Sequence, residues 1–364
     1  MITLTSYGKK KGGTTMFIKN TKWKKVLAAV LGLGLMAGAL TGCGGDTASK
    51  SSAGTSSEEI VAYGVIDPQI SAQQIIADKK GFFKEEGLNV TNKLVQAGGD
   101  ISPLISGGTA QVSFESPYTD IAVAANGVGV KIVAPMADIG NTQCVVASKD
   151  SGITNAKDLE GKRIGMAPGS GVLIAIRNMC KDLGVDVNKI EFVSLSPSNQ
   201  LAAMEHGDID AMACWEPWVG NAQKSGGKLL FSGLKSYLGD KQGDVSWLSF
   251  YTTMQVTDSF LKDHPKEVQA MLRALKKATD FINEHPDEAA EIIAKETQLD
   301  VPQVKEIMSK NKYNMTFDDH FVQACDEMAG FMLEMKNIPS KPAFDTYADK
   351  AALKDAVPEL MTAK

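Results

Sequence analysis

Asp208-Ile209-Asp210-Ala211-Met212-Ala213-Cys214-Trp215-Glu216-Pro217-Trp218 passes from a turn, through a short apolar strand, into two tryptophans that bracket a carboxylate and a proline. Proline has no N–H for a sheet ladder, so the backbone must leave the sheet where Trp215 and Glu216 are presented. Open α/β sheets bind ligands just outside the carboxyl ends of their strands. The stretch therefore reads as a parallel-sheet strand delivering an indole and a carboxylate to a site; a core tryptophan followed by an ordinary loop is the alternative.

The surroundings support an α/β chain. Ile60–Ile66 reads as a strand, Ser71–Lys80 as a helix closed by Gly81, and Leu88–Val95 as the next strand. Strands are further expected at 111–114, at 130–134 with Pro135 stopping the run, at 142–148, 163–166 and 190–195, with helices at 117–125, 172–183 and 199–206 between them. Such alternation argues for parallel βαβ units. Val245–Val256, rich in aromatic and β-branched residues, reads as one long strand crossing between lobes. Beyond it the chain turns helical. Val268, Met271, Leu272, Leu275, Ala278, Phe281 and Ile282 form one apolar stripe, and Phe321, Cys325, Met328, Met332 and Met335 a second; both are read as core.

At 364 residues, 43% hydrophobic and 22% charged, the chain is long enough for about two folded domains. Lys19, Lys22, Lys24 and Lys25 precede an uncharged run from Val26 to Leu40, and Leu40-Thr41-Gly42-Cys43 follows. That order is a secretory signal, too short for a comfortable membrane span. Met16 alone opens a leader of ordinary shape, so translation is open to starting there. Residues 44–58 are small and polar, a tether without the means to build a core. Seven of the 38 basic residues lie in the leader, so the remainder keeps 31 against 43 acidic ones, a net charge of −12. Such a surface disfavours nucleic acid and leaves any anion site to local dipoles. Cys144, Cys180, Cys214 and Cys325 lie far apart without C-x-x-C spacing, which argues against zinc and for buried free thiols, with disulfides left open.

Three stretches carry a family resemblance: Ala77-Asp78-Lys79-Lys80-Gly81-Phe82-Phe83-Lys84-Glu85-Glu86-Gly87-Leu88-Asn89-Val90, Asp158-Leu159-Glu160-Gly161-Lys162-Arg163-Ile164-Gly165, and Ala213-Cys214-Trp215-Glu216-Pro217. With helices opening at His264-Pro265 and His285-Pro286, the chain from Ile60 onward resembles the substrate-binding proteins of ABC transporters for nitrate, sulfonates, taurine and thiamine pyrimidine precursors. The Cys43 context resembles a bacterial lipobox, which implies lipidation of Cys43, a signal peptide over residues 1–42 and a membrane anchor on the extracytoplasmic face. The resemblance implies a two-lobed type II periplasmic-binding-protein fold, with lobe one at 59–141 plus 250–364 and lobe two at 142–249. It also implies a monomer that closes by hinge motion on a small organic solute, most simply a sulfonate, and then docks on a permease driven by an ATPase. No cofactor or metal is implied, and no G-x-x-x-x-G-K-S/T run is present.

On that frame four loops meet at the cleft. Asp67 and Gln69 come from the first, Glu115, Ser116 and Tyr118 from the second, Gly169, Ser170 and Gly171 from the third, and Trp215 and Glu216 from the fourth; Trp247 is a further candidate wall. None of the four loops holds Lys or Arg. Ser116 and Ser170 open helices, and so offer free N–H groups and a hydroxyl to a sulfonate or carboxylate; plain N-capping is the alternative. Asp67, Glu115 and Glu216 are read as candidates to meet a donor on the solute, which would favour taurine or an aminopyrimidine over nitrate. A related enzyme of pyrimidine-precursor synthesis would use a cysteine-rich motif with histidine, whereas Cys214 stands alone and His206, His264, His285 and His320 fall outside the loops. A ligand sensor for a membrane receptor remains a further alternative.

Overall fold

The computed structural model describes residues 58–96, 98–167 and 170–364, so the leader, Cys43 and the tether lie outside the described residues, as do Ala97, Pro168 and Gly169. Among the described residues no helix is long and apolar enough to cross a membrane.

Among the described residues thirteen strands form two sheets. The six-stranded sheet contains β1 (Glu59–Val65), β2 (Asn89–Val95), β3 (Val112–Glu115), β4 (Val130–Asp138), β12 (Tyr251–Thr257) and β13 (Lys312–Tyr313), in the order β13-β4-β12-β3-β1-β2. The seven-stranded sheet contains β5 (Gln143–Ala147), β6 (Arg163–Met166), β7 (Glu191–Ser194), β8 (Ala211–Trp215), β9 (Lys228–Ser232), β10 (Lys235–Leu238) and β11 (Lys241–Asp244), in the order β11-β10-β9-β5-β8-β6-β7. We call the bodies around them lobe one and lobe two. In each, the βαβ-linked strands pair in parallel, β1 with β2 and β3, and β6 with β7 and β8, while β12 in the first sheet and the earlier strand β5 in the second add in antiparallel fashion.

The strand of the opening stretch, β8, lies between β5 and β6. Ala211, Met212, Ala213 and Cys214 are all fully buried, because Ala211 and Ala213 face the main core while Met212 and Cys214 face a second cluster with Val146, Met204, Ile209 and Val219. Burial on both faces is why this strand is a continuous apolar run rather than an alternating one. Both apolar helical stripes are core, in the helices Pro265–Glu284 and Asp319–Glu334.

Three expectations change. Pro135 does not stop its strand: β4 runs on to Asp138, and Pro135 faces Thr253 where the β12–β4 register shifts. An irregular register removes the ladder N–H demand that proline cannot meet. The long strand of 245–256 is two pieces. Only Tyr251–Thr257 pairs in lobe one, whereas Trp247 and Leu248 donate their N–H groups to the Gly233 carbonyl of lobe two. Third, β9, β10 and β11 form an antiparallel extension that the sequence reading leaves unassigned.

The lobes join where two connections cross. Ile139 donates its N–H to the Phe250 carbonyl at 2.7 Å, and Gly233 donates to Gly140 and Gln143. A side chain on Gly140 would meet the Leu248 carbonyl at 2.6 Å, so glycine is what lets the two strands of chain pass.

Candidate functional site

The loops after β1 and β8, one from each sheet, touch. The Asp67 carboxylate is buried and accepts from the Gln69 and Ile70 N–H groups at 2.8 and 2.7 Å, which fixes the turn after β1. Burial pushes this carboxyl up to about 6, and the two backbone N–H groups restrain the rise. Gln69, fixed by that turn, crosses to lobe two and donates Nε2 to the Glu216 carbonyl at 2.8 Å. Tyr313, from β13, donates its hydroxyl to the Pro68 carbonyl at 2.8 Å and so ties the same loop to the edge of the lobe-one sheet.

Glu216, expected to offer a free carboxylate, is already paired. Its Oε1 accepts from Lys310 Nζ of lobe one at 2.7 Å, and its Oε2 accepts from the Gly220 N–H at 2.9 Å. The Glu216–Pro217 peptide is cis, and the helix Trp218–Lys224 starts at once. Burial acts to lower the Lys310 ammonium, but the charges and hydrogen bonds of Glu216 and Glu306 outweigh it and hold the ammonium above its ordinary value. Sequence reasoning missed Lys310. Its visible signal, Glu306 four residues before it, looks like a surface helix pair and says nothing of a partner 94 residues away.

Glu115 is also corrected. It is fully buried inside lobe one, where it accepts from Ser113 Oγ at 2.9 Å and Gln255 Nε2 at 3.3 Å and lies against Asp120. Asp120 accepts from Thr253 Oγ1 at 2.6 Å. The second oxygens, Glu115 Oε2 and Asp120 Oδ1, have no donor among the described residues. Burial raises both carboxyls, Asp120 to about 7, and the neighbouring acid raises Glu115 further.

The serine loops keep their donors in part. Ser116 has the extended backbone of an N-cap for the helix Pro117–Ala125, yet its hydroxyl makes no cap bond among the described residues. Ser170 is buried and accepts from the Val172 N–H only at 3.4 Å, at the start of the helix Val172–Leu183. Gly169 lies outside the described residues. A Cβ on Gly171 would enter the Phe250 ring at 2.2 Å, so the start of this helix sits flush against the crossing segment. Tyr118 is half-buried, and its hydroxyl is raised by burial and drawn back by a hydrogen bond with Asn337. Two turns into the Ser170 helix, Arg177 reaches lobe one, where it pairs with Glu334, lies 3.7 Å from the Met335 sulfur and covers the Phe331 ring.

The two tryptophans differ. Trp215 ends β8 half-buried beside the Met212–Cys214 cluster. Trp247 is 4% exposed, meets Phe231 edge-on and donates its indole N–H to Asp182 at 3.2 Å, which gives it a packing role in lobe two in place of the expected wall. The four described cysteines are free and buried. Burial pushes the Cys214 thiol up to about 12, which keeps it protonated.

Comparison with known proteins agrees with this architecture. The chain is 27% identical over 340 residues to a putative aliphatic sulfonates-binding protein of Bacillus subtilis, covering 92% of this chain and 96% of that one. It is 28% identical over 226 residues to the 4-amino-5-hydroxymethyl-2-methylpyrimidine phosphate synthase of Aspergillus parasiticus, covering 59% of this chain and 64% of that one. In fold it matches the periplasmic aliphatic sulphonate binding protein SsuA of Escherichia coli with a TM-score of 0.68 at 15% identity, over 80% of this chain and 92% of that one, which shows the two-lobed periplasmic-binding-protein fold. The family model described as NMT1/THI5 like matches residues 70–289, more than half of the chain, and the protein belongs to that family.

Proposed function

We propose that this chain is an extracytoplasmic solute-binding protein of an ABC importer and captures a small organic sulfonate between its lobes. The relative matched over nearly its whole length is a sulfonates-binding protein by name, and the leader ending at Cys43 fits a lipid anchor that holds the protein at the membrane beside a permease and its ATPase. Lobe boundaries near residues 141 and 249 fit the way the two sheets divide the chain.

One observation carries the choice of solute. All three carboxylates of the cleft loops have protein partners: Asp67 two N–H groups, Glu115 a hydroxyl, an amide and Asp120, and Glu216 an ammonium and an N–H. At Glu216, the carboxylate that ends β8, the Lys310 ammonium leaves no charge that asks for an amine on the solute. What the loops still offer is the Ser116 and Ser170 hydroxyls and the half-buried faces of Tyr118 and Trp215. Such a set suits an acceptor-rich oxyanion on a short apolar body. An alkanesulfonate fits better than taurine, whose ammonium would find Glu216 already paired with Lys310, and better than nitrate, which has no apolar part. The synthase reading loses support because Cys214 is a buried, protonated thiol of the second core cluster.

A thermal-shift screen of the purified chain against linear alkanesulfonates, taurine, nitrate, aminopyrimidines and carboxylates tests this, since binding to the native state alone raises its melting temperature. The expected result is the largest shift with an alkanesulfonate and a smaller one with taurine. A screen in which only an aminopyrimidine shifts the melt, or in which the protein alone turns one over, would overturn the reading.

A further inference from the structure

We propose that Lys310 is a positioning residue for solute capture: with Gln69 it forms a two-point clasp from lobe one onto Glu216 of lobe two, fixing the Trp215 loop and neutralising the one carboxylate that would oppose an anion there. The inference rests on the sulfonate reading given above.

The geometry is a closed circuit. Lys310 lies two residues before β13, which pairs with β4 in the lobe-one sheet. Asn311 donates to the Tyr313 hydroxyl at 3.2 Å, and that hydroxyl donates to the Pro68 carbonyl. The Lys310 segment and the Asp67–Gln69 loop are therefore one piece. That piece holds Glu216 twice, at the backbone carbonyl through Gln69 and at the carboxylate through Lys310. Both grips are sheltered, since the Glu216 side chain is 2% exposed and that of Lys310 24%. Moving the lobes apart must break both at once.

Charge supplies the second half of the argument. A buried carboxylate without a partner is costly to keep ionised and repels an anion placed beside it. Lys310 cancels that charge where Trp215 meets the cleft, while itself remaining tied to Glu306 at 2.9 Å. Its ammonium is occupied, so the sulfonate is left to the Ser116 and Ser170 hydroxyls.

The test is isothermal titration of the purified chain with hexanesulfonate, comparing wild type, Lys310→Met, Lys310→Arg, Glu216→Gln and the Lys310→Met/Glu216→Gln double variant, each also melted without ligand. Loss of one partner of a sheltered pair should weaken binding about ten- to a hundredfold in Lys310→Met. Glu216→Gln should lose less, the double variant should regain most of the affinity, and Lys310→Arg should stay near wild type. A folded Lys310→Met protein that binds like wild type, or a double variant no better than Lys310→Met, overturns the proposal. If Lys310→Met does not fold, the arginine and double variants decide. If wild type binds no sulfonate the functional reading fails instead, and the clasp is judged on the ligand-free melts, where additive shifts at positions 310 and 216 would refute it.

Discussion

Of the three ion pairs that join the lobes among the described residues, Lys224–Asp300 is a loose surface contact at 3.9 Å, and the other two differ in almost everything except their charges. Lys310 and Glu216 meet at 2.7 Å with the acid nearly out of solvent and held again by a backbone N–H. Arg177 and Glu334 meet with side chains 27% and 60% exposed, beside a groove of about 730 Å³ lined by Ile174, Phe331 and Ser246. Water and salt screen the second pair, so its loss leaves both ions solvated. The acid of the first pair has no such refuge, and removing Lys310 strands it. The lobes are thus joined by a sheltered pair at Glu216 and by a solvent-screened one at Arg177.

Several measurements can break or sharpen that contrast. The largest effect belongs to Lys310→Met, which should lower unfolding stability by about 2–4 kcal/mol in urea melts, because a sheltered carboxylate is left behind. A loss no greater than that of an exposed pair would erase the distinction. Gly171→Ala should cost about 1–3 kcal/mol, since its methyl group would enter the Phe250 ring and force the Ser170 helix off the crossing segment. Gln69→Ala, which removes the second grip on Glu216, should cost about 1 kcal/mol. Glu334→Ala should stay within about 0.5 kcal/mol and vanish at high salt.

The like-charged pair inside lobe one gives a test of opposite sign. Asp120 and Glu115 have folded values raised above their unfolded ones, so their contribution is fully present below about pH 4, and the Asp120 part is lost as pH rises through about 7. Asp120→Asn removes one of the two charges. The variant should therefore gain on wild type as melts are moved from about pH 5 to about pH 8. A gap that stays constant over that range would mean that the Asp120 carboxyl is not raised.

Much of the fold was legible because it is written in local terms. The helices Pro117–Ala125 and Val172–Leu183 and the strand Arg163–Met166 follow from apolar period, proline and glycine alone. Pro135 misled because a β-bulge depends on the partner strand, and the register shift that accommodates it belongs to β12, over a hundred residues away. Val245–Phe250 misled because composition reports that a segment is extended and apolar, not which of two sheets its N–H groups will find.

The site divided in the same way. From the residues alone came the loops at the strand ends, the serines that open two helices, the absence of basic residues from those loops, and Trp215 with Glu216 at the end of β8. Only the tertiary structure decided what each charged group faces. Asp67 turned to its own backbone, Glu115 to Asp120, and Glu216 to Lys310. The physical reason is that a strand or helix is set by neighbours within a few residues, whereas a buried charge is set by whichever opposite charge or dipole the chain brings back to it. For Glu216 that partner lies 94 residues further on, and nothing in the stretch around it announces the meeting.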